Sequence, residues 1–121
     1  MSSTFTNLLY HIIFSTKGRQ PLISPELQSR LDPYFGGIVR SGGGTLLEVG
    51  GIADHRHLVI ALRANVSLAE IVRLIKANSS KWINEQSGDR GVPFSWQTGY
   101  GAFSVSYSQL GAVREHVKNQ E

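Results

Sequence analysis

From Phe5 to Thr16, apolar, β-branched and aromatic residues follow one another almost without a break. In an extended chain they divide into Leu8, Tyr10, Ile12 and Phe14 on one side and Leu9, His11 and Ile13 on the other. That pattern predicts a strand buried on both faces, ended by the turn residues Lys17-Gly18-Arg19. The period then changes to helical, with Leu27, Leu31, Phe35 and Ile38 recurring up to about Arg40. Ser24 suits the N-cap, Pro25 the first helical position and Glu26 the first turn. Pro33 is expected to kink or split this helix, and Ser41-Gly42-Gly43-Gly44 to stop it. Residues 45–50 and 52–62 read as two strands joined in a hairpin around Gly50-Gly51. A second helix opens at Ser67, with Glu70 in the capping-box position, and buries Leu68, Ile71, Ile75, Trp82 and Ile83. After a loop from Gly88 to Pro93, Phe94–Gln97 and Ala102–Tyr107 read as further strands, separated by Thr98-Gly99-Tyr100-Gly101. A last helix is expected over about 108–121.

This order predicts an α+β fold, the ferredoxin-like βαββαβ plan with an antiparallel sheet, plus an additional C-terminal helix. The 121 residues fit one domain spanning 1–121. The chain has no cysteine, which removes thiol catalysis, zinc–cysteine sites and disulfide scaffolds. No apolar run approaches the ~20 residues of a membrane span. Met1 to Thr6 is polar and uncharged, unlike a secretory signal. These features fit a cytoplasmic protein. A formal net charge of +3 adds a mild pointer to a polyanionic partner.

The candidate chemistry lies in His55-Arg56-His57. Residues two apart on a strand point the same way. His55 and His57 therefore share a face with Val59 and Ala61, while Asp54, Arg56, Leu58, Ile60 and Leu62 share the other, core-like face. Two adjacent imidazoles can hold a divalent cation once a third ligand is found, although spacing alone favours a solvated pair. His116 and Gln120, four apart, lie on one side of the last helix. Arg73, Lys76, Ser79, Ser80 and Lys81 give the second helix a cationic, hydroxyl-bearing side suited to phosphates, or simply to water. Trp96 and Tyr100 are candidates for stacking on bases, or for the core. His11, in a doubly apolar strand, reads as a hydrogen-bonded core histidine rather than a ligand.

Taken together, Tyr10–Lys17, Asp54–Val59, Lys76–Trp82, Phe94–Ser106 and Val113–Gln120 resemble, in order and spacing, the single-tyrosine HUH transposases of small insertion sequences and their REP-associated relatives. The resemblance covers nearly the whole chain. It implies a homodimer that binds hairpins in single-stranded DNA, nucleoid-associated when bound, with Mg²⁺ or Mn²⁺ on two histidines and a helix glutamine. It further implies a tyrosine that attacks the scissile phosphate, leaving a 5′-phosphotyrosine and a free 3′-hydroxyl, with no nucleotide cofactor. His55, His57 and Gln120 match the metal ligands. Lys17, Arg19, Arg73, Lys76, Ser79, Ser80, Lys81, Trp96 and Tyr100 are the candidate DNA contacts. The sequence departs from the family pattern in three places. His116 stands at the catalytic position where the family has tyrosine. It marks an inactive or domesticated copy, an altered position, or a site served by another residue such as Tyr107. Arg56 replaces the hydrophobic residue between the histidines, and Asp54 is its expected partner. The end at Glu121 comes early, so the last helix is expected to be truncated.

Overall fold

The computed structural model describes residues 8–87 and 93–120. The elements run β1 (Leu8–Ser15), α1 (Pro25–Ser41), β2 (Gly44–Ile52), β3 (His55–Leu62), α2 (Leu68–Ser87), β4 (Gly101–Ser104) and α3 (Leu110–Lys118). Short 3₁₀ turns occupy Lys17–Arg19 and Tyr107–Gln109. The four strands form one antiparallel sheet in the order β2-β3-β1-β4. This is the expected βαββαβ order followed by an extra helix. The expected strand residues 5–7 and loop residues 88–92 lie outside the described residues.

Local signals account for most element boundaries. The Ser24 hydroxyl accepts the Leu27 N–H at 3.1 Å, capping α1. Ser67 caps α2 by accepting the Glu70 N–H at 3.2 Å. The Glu70 carboxylate turns instead to Arg73 at 3.1 Å, so the capping box is half formed. Pro33 does not split α1, which runs unbroken through it. The ring lies on the exposed side, while Leu31, Phe35, Ile38 and Val39 hold both halves of the helix against the sheet. The lost hydrogen bond therefore falls where water can replace it.

One face of the sheet carries the core. Ile12 and Phe14 of β1 and Leu58, Ile60 and Leu62 of β3 pack with α1 and α2 residues such as Phe35, Val39, Ile71 and Ile75. The opposite face carries His55, His57 and Val59 of β3 beside His11 and Ile13 of β1.

Two boundaries differ from the sequence expectation. Gly50 and Gly51 lie inside β2, and the chain reverses at Ala53-Asp54. Glycine is needed there for close approach. A Cβ on Gly50 would sit 2.0 Å from the Val117 carbonyl oxygen, and Gly51 (φ +144°) would place one 2.3 Å from that of His55. Residues 94–97 form no strand of their own. Trp96 makes an isolated bridge to Thr16. Gln97 N–H donates to Ser15 at 2.8 Å and Lys17 N–H to Ser95 at 3.1 Å. The alternation of Phe94 and Trp96 is real, but it plugs the core: both rings pack edge-on, Trp96 against Phe14 at 4.7 Å and Phe94 against Trp96 at 4.8 Å. β4 itself ends at Ser104, and Tyr107 begins a 3₁₀ turn rather than ending a strand. The last helix accordingly starts at Leu110, not Ser108.

Arg56 is 1% exposed and pairs with Asp32 of α1, not with Asp54. The reason is directional: Asp54 has turned to His55, 2.7 Å away. Burial lowers the Arg56 guanidinium and raises the Asp32 carboxyl, and each charge partly offsets the shift in the other. Arg56 Nε and Nη1 find no further partner among the described residues. Asp32→Ala would leave this guanidinium uncompensated and is expected to destabilise the fold by about 3–5 kcal/mol. Asp32→Leu combined with Arg56→Leu is expected to stay near wild-type stability. Urea unfolding of both variants checks this, and equal losses would show that the ion pair is not the cause.

Candidate functional site

β3 begins the site. Its register sets His55 opposite Ser15 and His57 opposite Ile13 of β1. Both imidazoles rise from the sheet face that α1 and α2 leave uncovered, their ring centroids 5.0 Å apart. His11, two residues before Ile13, shares that face. Its ring stacks on His57 at 5.1 Å, and its Nε2 lies 2.9 Å from His57 Nδ1. It is hydrogen-bonded, as expected, but at the back of the site rather than in the core. His116, the fourth and last histidine of the chain, is near enough that its charge lowers the pKa of both His11 and His57.

The second nitrogens bear on metal binding. His55 Nδ1 donates to the Asp54 carboxylate at 2.7 Å. A carboxylate only accepts, so in the neutral ring the other nitrogen, Nε2, carries the lone pair. His57 Nδ1 is engaged with His11. Burial, then the neighbouring histidines, push His57 down to about 4, which keeps its ring neutral at ordinary pH. Neutral imidazoles with one nitrogen held from behind are the donors a divalent transition metal takes. No three His, Asp or Glu side chains form a cage among the described residues. A cation on the pair would take its further ligands from elsewhere, such as an amide, a phosphate oxygen or water.

The candidate amide, Gln120, follows α3 just past its end. The helix packs on β2 and β3, with Val117 fully buried over Gly50. Arg114 reaches Glu48 of β2 at 3.4 Å. Past the helix, the Gln120 carbonyl accepts the Gly51 N–H at 3.3 Å, tying the tail to the edge strand opposite Arg56. The Gln120 side chain donates through Nε2 to His116 Nε2 at 3.1 Å. Since an amide nitrogen only donates, that contact uses the lone pair of His116, and Gln120 Oε1 has no partner among the described residues. His116 is exposed.

The candidate DNA contacts scatter. Lys17, Arg19, Lys81 and Tyr100 are exposed. Arg73 is exposed but bound to Glu70. Lys76 is half-buried, and its Nζ donates to the Gln97 and Gly99 carbonyls at 2.7 and 2.8 Å, so it pins the loop before β4. Ser79 is fully buried, not on the polar side. Its hydroxyl donates to Ile75 at 2.6 Å and accepts the Trp96 indole N–H at 2.9 Å. Ser80 is half-buried, its hydroxyl on the Ala77 carbonyl at 3.1 Å. Trp96, 8% exposed, offers no face for a base. Sequence reasoning missed Asp54 and His11 as partners of the histidine pair. The odd-numbered alternation of β1 that places His11 with Leu9 and Ile13 was the available signal for His11.

The site has a pH consequence. His57 titrates near 6.5 in an unfolded chain and near 4 in the fold, so the unfolded state binds more protons between those values. The metal-free protein is therefore expected to lose stability as pH falls from about 6.5 towards 4, by up to about 3 kcal/mol. Urea unfolding at about pH 7 and about pH 4.5 measures the loss. His57→Gln should show a smaller one, and an unchanged loss would assign the effect elsewhere.

Comparison with known proteins bears on the whole chain. The family described as "Transposase IS200 like" matches residues 4–120. The chain is 23% identical to the transposase for insertion sequence element IS200 of Salmonella typhimurium, over 99% of this chain and 81% of that protein. The Salmonella typhi transposase of the same element matches equally. Among solved structures, a transposase candidate from Deinococcus radiodurans R1 superposes with a TM-score of 0.78 at 19% identity, over 100% of this chain and 96% of that one. A REP-associated tyrosine transposase bound to a REP hairpin superposes with a TM-score of 0.65 at 13% identity, over 97% and 68%. The match across residues 4–120 makes this chain a member of the IS200-like transposase family.

Proposed function

We propose that this transposase-family protein binds single-stranded DNA hairpins as a homodimer and holds Mg²⁺ or Mn²⁺ on His55, His57 and Gln120. With histidine at position 116, it binds without cutting. The observation that carries the reading is the single sheet face on which Asp54 and His11 engage Nδ1 of His55 and His57, with Nε2 of both unpartnered among the described residues, while α3 lies across the neighbouring strand. The hairpin in the REP-associated structure supports the choice of DNA partner. Lys17, Arg19, Lys81 and Tyr100 remain exposed for phosphate and base contacts. Arg73 joins them only by leaving Glu70.

A phosphodiester resists attack because it is anionic and its leaving group is poor. The cation, when bound, supplies charge withdrawal at the scissile phosphate. His55, His57 and Gln120 orient it, and a tyrosine at position 116 would add its oxygen to phosphorus as the 3′ oxygen departs as a hydroxyl. His116 does not fill that role. Its ring is shorter than a phenol, and a misplacement of ~1 Å can cost ~100-fold. Its Nε2 lone pair is already engaged by Gln120. Tyr107 is 72% exposed in the 3₁₀ turn ahead of α3 and packs against none of the site histidines.

His116→Tyr is expected to form a covalent adduct with hairpin single-stranded DNA in Mn²⁺, seen as a shifted band on a denaturing gel, while the unaltered protein binds the hairpin without an adduct. An adduct in the unaltered protein, mapped to Tyr107 or elsewhere, would overturn the assignment of position 116. Hairpin affinity should also fall steeply with salt, and Lys81→Ala should lower the slope of log affinity against log salt by about 1.

A further inference from the structure

We infer that His11 is a positioning residue for the metal site: its Nε2 accepts the Nδ1–H of His57, so that the Nε2 lone pair of His57 faces outward as a ligand. The inference rests on the reading of His55 and His57 as ligands given above. A neutral imidazole has one N–H and one lone pair, and the hydrogen bond at one nitrogen decides what the other offers. For His55, Asp54 settles the matter, because a carboxylate can only accept. His57 has no carboxylate on its Nδ1. Its partner there is His11 Nε2, at 2.9 Å. If that contact ran the other way, His57 Nε2 would carry a hydrogen and could bind no metal.

The surroundings suit an orienting role. The two ring planes lie 29° apart, so the contact favours one plane for His57, and the direction of the hydrogen bond sets its tautomer. Behind His11 stands Phe103, its cross-strand partner on β4, with ring centroids 6.3 Å apart. β1 pairs with β3 on one side and β4 on the other, so the backbone under His11 is held from both sides. His11 is not itself a third ligand while its Nε2 is on Nδ1 of His57, the nitrogen other than the one offered outward. The absence of a three-residue His, Asp or Glu cage among the described residues agrees with this. His11 thus does for His57 what Asp54 does for His55, with a neutral acceptor in place of a charged one.

The test compares His11→Gln, which keeps an acceptor, with His11→Phe, which keeps a ring at this half-buried position and loses the acceptor. His11→Leu is a second acceptor-free variant in case the phenyl ring does not pack, and thermal melting confirms that each protein is folded. Two quantities are read above neutral pH: the His57 tautomer by long-range ¹H–¹⁵N NMR of the metal-free protein, and Mn²⁺ affinity by titration calorimetry. The unaltered protein and His11→Gln are expected to hold His57 as the Nδ1–H form. His11→Phe and His11→Leu are expected to move it towards Nε2–H and to weaken Mn²⁺ binding about 10–100-fold. Unchanged tautomer and affinity in both acceptor-free variants would overturn the role of His11. Failure of the unaltered protein to bind Mn²⁺ would instead overturn the ligand reading beneath it, whatever the tautomer shows.

Discussion

The pairing register of β3 between β1 and β2 determines which side of the sheet each of its side chains serves. In His55-Arg56-His57 the period of two sends both imidazoles to the face away from α1 and α2 and the guanidinium into the core. A slip of one residue would bury two histidines and expose Leu58 and Ile60. The register is held by apolar burial on the helix side, where Leu58 and Ile60 are fully covered, and by eight paired positions with β1. The core and the site are thus two outcomes of one constraint. Arg56 is the cost of this sequence's variant of the motif: a charge on the core side that Asp32 must neutralise from α1.

The second dependence is the close seating of α3. The helix carries position 116 and leads to Gln120, and it reaches β2 only because Gly50 has no side chain. Val117 fills the contact, and the Gly51 to Gln120 backbone bond carries the tail to the edge of the sheet. Position 116 and Gln120, one helical turn apart, then meet through their side chains.

Much of this was legible in the sequence, for physical reasons particular to each element. β1 announced itself because it is apolar on both faces, and β3 because a run of apolar residues from Leu58 to Leu62 follows the two histidines. Cap residues at Ser24 and Ser67 located the helix starts. The errors arose where one local pattern serves two structures. Phe94 and Trp96 alternate like a strand, yet they insert into the core beside a single bridge. Gly50-Gly51 looks like a turn, yet the missing Cβ is used for a helix contact and a crowded carbonyl. Lys76 and Ser79 look like a phosphate-binding side, yet tertiary partners absorb both. Asp54 was assigned to Arg56 by strand parity, which carries no information about a residue already in the turn. The two-histidine pair and the α3 positions were recognisable from spacing and resemblance. Their partners, Asp54 and His11, depend on side-chain directions that spacing does not encode.

In the proposed function, one sheet face, and not the basic side of α2 or the Asp32–Arg56 pair, holds the cation. Paramagnetic broadening by Mn²⁺ in ¹H–¹⁵N spectra of the labelled protein tests it directly. Substoichiometric Mn²⁺ is expected first to erase the amide signals of His55, His57 and Gln120, while those of Asp32, Ser79 and Lys81 persist. Broadening centred on Asp32 or on α2, with the His55 and His57 signals intact, would contradict it.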